Sequence, residues 1–240
     1  RAESKGDIGI VVNLEPKYPA SDQATDQEAT KRADAWMNRQ FLDPIFLGSY
    51  PDELEGIWGV PSNTFDPMDL RLIQTPIDFV GINYYSRSVV RNAPRVPHFL
   101  AERVEQTSAP ATDMGWEIYP EGLSDCLSWV TERYGEIPLY ITENGAAFDD
   151  GPDEEGRIHD TRRVDYFRSH LLAAHRALQN GVPLRGYFAW SLLDNFEWAF
   201  GYAKRFGLIH VDFETQARTL KNSAHFYREV IESSGTILTR

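Results

Sequence analysis

Cysteine is nearly missing from this 240-residue chain: Cys126 is its single example. One cysteine excludes a disulfide framework within the chain and any metal site built from several thiolates. A reducing, cytoplasmic compartment is the default expectation. Basic charge is also short, with 24 Lys and Arg against 36 Asp and Glu and a net charge of −12. That balance argues against nucleic acid or an anionic membrane as the main partner, because both are drawn to basic patches. No apolar run approaches the ~20 residues that a membrane span needs. There is no internal repeat and no low-complexity tract. An initiating Met, an apolar signal region and transit-peptide character are absent too. The chain opens Arg1-Ala2-Glu3-Ser4-Lys5 and reads as part of a longer sequence.

What is present is 42% hydrophobic and 25% charged, the composition of a folded protein with a sizeable core. Four short apolar runs read as buried parallel strands: Ile8 to Val12, Phe79 to Ile82, Ile137 to Ile141, and Arg185 to Trp190. Amphipathic helices are expected after each. Their apolar positions are Ala29, Ala33, Trp36 and Met37; Leu123, Leu127, Val130 and Tyr134; Val164, Phe167, Leu171 and Leu178; and Leu220, Ala224, Tyr227 and Ile231. Asp160 is placed to cap the third helix, which should stop at Gly181-Val182-Pro183. The acidic run within Phe148 to Gly156 lacks the alternating ligands of a calcium loop and reads as a solvated surface segment.

Strand–helix alternation implies a parallel sheet with helical crossovers. An open nucleotide-binding sheet should carry G-x-G-x-x-G after a strand, and none is found. Instead, polar and aromatic residues sit just past each strand: Asn13, Asn83-Tyr84-Tyr85, Glu143-Asn144 and Trp190-Ser191. Functional residues gathered at C-terminal strand ends mark a (β/α)8 barrel. With four strand–helix units, the expected fold is α/β, half of such a barrel in one domain over residues 1–240.

The chemistry-bearing residues cluster in the same places. Thr142-Glu143-Asn144-Gly145 follows a strand, so its carboxylate points into the barrel mouth, and Gly145 is expected to permit a sharp turn. Trp190, Asn195-Phe196-Glu197-Trp198, Trp116 and Phe206 supply aromatic faces and a second carboxylate. Sugars want that combination, aromatic faces for C–H surfaces and polar groups for hydroxyls. Alone, each aromatic would read as core. The six histidines include no H-x-x-x-H pair and read as surface or satisfied packing residues. No G-x-S-x-G elbow is present. No cofactor and no metal are expected.

Ile141-Thr142-Glu143-Asn144-Gly145 resembles the nucleophile motif of family 1 glycoside hydrolases, the β-glucosidase and β-galactosidase family. Gly81-Ile82-Asn83-Tyr84-Tyr85, Met114 to Pro120, Trp190 to Trp198, and Gly201-Tyr202 through Arg205-Phe206-Gly207 follow in the family's order. The resemblance spans essentially the whole chain and implies the C-terminal half of a (β/α)8 barrel. It implies a retaining β-glycosidase in which Glu143 is the nucleophile and Tyr85 orients it. It further implies that Glu197 and Trp198 bind sugar hydroxyls, Trp190 is a stacking platform, Phe206 lines the pocket and Trp116 borders the aglycone. Asn13 and Asn83 are expected to give polar support.

The pattern is broken in one respect. The family's acid/base is a Glu in an Asn-Glu-Pro motif, and this sequence begins after that point. Asn13-Leu14-Glu15-Pro16 is interrupted by Leu14, so Glu15 reads as a loop carboxylate. A four-strand half would also leave two apolar parallel edges open. The expected partners are therefore a β-glucoside substrate and a complementary N-terminal half-barrel, or a second copy. The alternative function is a catalytically silent half-barrel that serves in assembly or sugar binding.

Overall fold

The computed structural model describes residues 6–61 and 64–239. The opening segment Arg1 to Lys5, used above to infer a longer sequence, lies outside the described residues. The chain runs β1 (Gly9–Asn13), β2 (Lys17–Pro19), α1 (Ala24–Asp34), a π-helical segment (Ala35–Arg39), α2 (Gln40–Phe46), α3 (Glu53–Trp58) and α4 (Pro67–Ile73). It continues through β3 (Phe79–Asn83), β4 (Ser88–Asn92), β5 (Ala101–Val104), α5 (Pro120–Tyr134), β6 (Leu139–Asn144) and α6 (Thr161–Gln179). Last come β7 (Leu184–Ala189), β8 (Ile209–Val211), β9 (Arg218–Leu220) and α7 (Asn222–Glu232).

Four strands form one sheet in the order β1-β3-β6-β7, every pair parallel. These are the four apolar runs of the sequence, with ends displaced by no more than three residues. Period-two alternation sends Val12, Val80, Ile82, Leu139 and Ile141 to the side covered by helices. There they pack with Leu123, Leu127 and Val130 of α5 and Ala173, Ala174 and Ala177 of α6. Each large apolar side chain buried this way stabilises by about 1.5–3 kcal/mol. A second core joins Ala146 and Phe148, just past β6, to Tyr166 and Phe167 of α6, Leu208, and Phe226 and Val230 of α7.

The other face of the sheet is crowded in the middle and open at the sides. A Cβ on Gly81 would meet Thr142 at 2.7 Å and Val11 at 2.8 Å, and one on Gly186 would meet Tyr140 at 2.8 Å. Yet Val11 on β1 is 51% exposed and Phe188 on β7 is 57% exposed. β1 and β7 are the end strands of this sheet among the described residues.

Several expectations need correction. The helix predicted over Ala29 to Met37 is α1 followed by a π-helical turn that carries Trp36 and Met37. Asp160 does not cap α6 through its side chain. Its carboxylate is taken by Arg163 and by the Ser223 backbone and hydroxyl. Leu220 is not helical but ends β9, half exposed. The stop of α6 is as expected, with Gly181 at φ +89° just beyond it. Unforeseen altogether are a small sheet, β2-β4-β5, packed on α1 through Ala29, Ala33, Val90 and Ala101, and the antiparallel pair β8-β9. Their strands are three to five residues long, too short to impose a readable period.

Candidate active site

Glu143 owes its aim to an irregularity in β6. Ile82 pairs with Ile141, but the next residue, Asn83, pairs with Glu143. On the other side, Ile141 pairs with Tyr187 while Asn144 pairs with Ala189. Beyond Ile141, β6 thus carries one residue more than either neighbour, a bulge at the strand's C-terminal end. Bulges re-aim side chains and occur beside active sites. Strict alternation from Tyr140 would turn Glu143 toward the helices. With the extra residue, Glu143 lines an open cleft, while Asn144 points into the helical layer and is fully buried.

Asn144 then locks the strand end. Its amide donates to the Tyr84 carbonyl at 2.8 Å and to the Tyr166 hydroxyl at 2.9 Å, and it accepts from the Tyr187 hydroxyl. Its own carbonyl accepts from the Trp190 backbone N–H at 2.9 Å. The Trp190 carbonyl passes so close that a Cβ on Gly145 would lie 1.8 Å from its oxygen. The close approach of the Trp190 carbonyl is thus a reason for glycine at position 145 that the sequence did not show. Asn83 supports the bulge by accepting from the Thr142 hydroxyl at 2.7 Å. It lies behind the cleft lining, whereas Asn13 is exposed at the cleft itself.

The cleft has a volume of about 520 Å³ and lies at the C-terminal ends of the parallel strands. It gathers Asn13, Tyr85, Trp116, Glu143, Trp190, Glu197, Trp198 and Phe206, all singled out from sequence. Tyr85 donates its hydroxyl to Glu143 at 2.5 Å. Burial, then the Glu143 carboxylate, pushes the Tyr85 phenol well above its ordinary value, so it stays protonated as a donor. The Tyr85, Trp116 and Phe206 rings form a triangle with centroids 5.2, 6.2 and 6.1 Å apart. Trp116 is held there by its neighbour Glu117, which accepts both arms of Arg87 at 2.9 and 3.0 Å. The Arg87 guanidinium in turn lies 3.6 Å over the Tyr119 ring. Trp198 projects into solvent, 83% exposed.

Two further carboxylates share the cleft with Glu143 and differ from one another. Glu197 is pushed above the usual range by burial and by the Glu143 charge, against a hydrogen bond from the Trp190 indole. Burial would raise Glu15 as well, but Lys17, at 2.8 Å, together with Ser88 and Arg103 holds it below that range. Glu15 is thus an ion-paired anion. Arg103, Ser86, Ala199 and Phe200 also line the cleft, and sequence reasoning missed them. Arg103 is supplied by the small β2-β4-β5 sheet, which carried no readable signal.

Among the described residues no group of three or more His, Cys, Asp or Glu side chains could hold a metal ion. No described helix is long and apolar enough to cross a membrane. His170 departs from the expectation of a satisfied histidine. It is fully buried and stacked on Tyr166, and its Nδ1 lies 2.8 Å from the Tyr166 carbonyl. Its Nε2 has no hydrogen-bond partner among the described residues. Burial lowers its pKa to about 4, which keeps the ring neutral.

Beta-glucosidase A of Acetivibrio thermocellus is 44% identical over 237 residues, covering 95% of this chain and 52% of that protein. The 1,4-beta-D-glucan glucohydrolase of Thermotoga neapolitana is 47% identical, covering 96% of this chain and 52% of its own length. The solved beta-glucosidase from Thermotoga maritima in complex with deoxynojirimycin superposes with a TM-score of 0.91 at 46% identity, over 97% of this chain and 52% of that one. The chain spans about half the length of the curated relatives it matches, and its fold is half of their (β/α)8 barrel. The sequence profile of "Glycosyl hydrolase family 1" matches residues 1–236. The chain belongs to glycosyl hydrolase family 1.

Proposed function

We propose that this chain is the nucleophile-bearing C-terminal half of a retaining β-glycosidase, by preference a β-glucosidase. One observation carries the proposal: Glu143 and Tyr85 meet at 2.5 Å inside a cleft walled by tryptophans and a second, raised carboxylate. A β-glucoside is the substrate class. Relatives named as β-glucosidases and a Thermotoga maritima structure with glucoimidazole support a glucose-configured ligand.

In this reading the Glu143 carboxylate attacks the anomeric carbon, and an ester forms as the bond to the aglycone oxygen breaks. Water then cleaves the ester, returns the carboxylate and leaves the configuration retained. Tyr85 donates to the Glu143 carboxylate, orienting it and tuning its charge. Glu197 and Trp198 bind sugar hydroxyls, and Trp190 stacks on the ring. Phe206 lines the pocket, Trp116 borders the aglycone, and Asn13 and Asn83 give polar support. The departing oxygen needs a proton. Glu15, held ionised by Lys17, is poorly suited to supply it. The family resemblance assigns the acid to the Glu of an Asn-Glu-Pro motif on another segment, the complementary half of the barrel, and leaves Glu197 to the sugar hydroxyls. Exposed Val11 and Phe188 on the inner face support the same completion. We place the protein in the cytoplasm, on the weight of one buried, unpaired cysteine.

The test is covalent labelling by a dinitrophenyl 2-fluoroglucoside, whose leaving group needs no acid, with the chain joined to its complementary half. The expected product is a glycosyl ester on Glu143, lost in Glu143→Gln. A label on another residue refutes the assignment. No label and no turnover of an aryl β-glucoside favour the silent module.

A further inference from the structure

Behind the cleft lies a buried set of charges that the chemistry above does not use. Arg163 of α6 is fully buried. Its guanidinium donates to the carbonyls of Ala146 at 3.2 Å and Arg205 at 2.7 Å, and to the carboxylates of Asp160 at 2.6 Å and Asp150 at 2.7 Å. Lys221, also fully buried, bridges Asp150 at 2.7 Å and Asp194 at 3.0 Å. Asp194 accepts from Arg205 at 2.7 Å and from the Gly207 backbone at 2.9 Å. Asp150 belongs to the acidic run expected to be solvated, and it has turned inward to meet these cations.

The network joins two segments that carry cleft residues. Ala146 and Asp150 lie on the loop that leaves Glu143. Asp194, Arg205 and Gly207 lie on the loop that carries Glu197 and Phe206. Three carboxylates meet three cations, Arg163, Arg205 and Lys221, so the set is close to neutral. Buried ion networks of this kind give little net stability over a well-packed apolar core, because desolvation offsets attraction. What they do supply is direction, since each partner is correct at one geometry.

We propose that Arg163 and Lys221 are positioning residues that hold the Glu143 loop and the Glu197–Phe206 loop in fixed register. They thereby set the approach of the nucleophile to a sugar held by Glu197. The inference rests on Glu143 being the nucleophile. Arg163 makes the closer link, because one guanidinium grips the backbone of both loops. Lys221 fixes the far end of the same pair of loops.

The experiment uses the chain joined to its complementary half and follows labelling by the dinitrophenyl 2-fluoroglucoside over a range of concentrations. This separates the maximal labelling rate from the dissociation constant. Arg163→Lys keeps the charge but loses the fork. Lys221→Met with Asp150→Asn removes a charge pair without leaving a bare charge. For each variant still folded at the assay temperature by circular dichroism, the maximal rate should fall ten- to hundredfold, with the dissociation constant changed less than threefold. Lys221→Arg should recover most of the rate. Unchanged labelling in folded variants overturns the inference and leaves the nucleophile standing. Failure of both variants to fold overturns it in favour of a purely structural role. An unlabelled Glu143 in the unmodified protein overturns the functional reading and the inference together.

Discussion

The two faces of the four-stranded sheet are finished to different degrees. On the helical side, Val12, Val80, Ile82, Leu139 and Ile141 are enclosed by α5 and α6. On the opposite side, glycines keep the centre tight, while Val11 and Phe188 stand half exposed on the end strands. The helices of this half-barrel can therefore cover the outer face of its own four strands, whereas the inner face is left partly open. The cleft sits on the boundary, its back wall built on the closed side and its front open.

That contrast can be broken most directly on the closed side. Ile82→Ala should destabilise the chain by about 2–5 kcal/mol in urea unfolding, the usual cost of truncating an enclosed core side chain. A loss below about 1 kcal/mol would mean that the helical side is no better packed than the inner one.

His170 sharpens the contrast through pH. Its folded pKa of about 4 lies below the ordinary histidine value. The unfolded chain then binds the proton first as pH falls. The neutral ring's contribution is complete above pH ~6.5 and is lost progressively down to pH ~4, reaching about 3 kcal/mol. His170→Phe should remove this dependence. Urea unfolding of both proteins between pH 7 and pH 4.5 checks it, and parallel slopes would show that the pocket is not dry.

The smallest effect is expected on the inner face. Phe188→Ser should change the stability of the chain alone by no more than about 0.5 kcal/mol. Joined to a complementary half, the same substitution should cost about 1–3 kcal/mol, because the ring is then enclosed. Equal small effects in both settings would mean that nothing covers this face.

How much of this was visible beforehand follows from what each feature depends on. The four parallel strands were legible because both of their faces demand apolar residues, which leaves continuous runs. Glu143, Tyr85, Trp190 and Glu197 were legible because they stand after strands in motifs that resemble those of family 1 glycoside hydrolases. The inward turn of Asp150 was not, since an acidic residue among acidic neighbours is told apart only by Arg163 and Lys221, which come later in the chain. The reason for Gly145 was hidden in the same way, because it is the carbonyl of Trp190. The short strands that deliver Arg103 had too few residues to show a period.

The bulge in β6 has an evolutionary consequence. The direction of Glu143 depends on a local count of residues, one more after Ile141 than in the facing parts of β3 and β7, and substitutions leave that count unchanged. Replacing side chains around the cleft can retune what is held there, yet the carboxylate keeps its aim. Deleting Thr142 alone would restore strict alternation with Glu143 following Ile141 and still on the cleft face; what would be lost is Thr142 and its hydrogen bond to Asn83. What the extra residue supplies is two consecutive side chains, Thr142 and Glu143, on the same face of one strand.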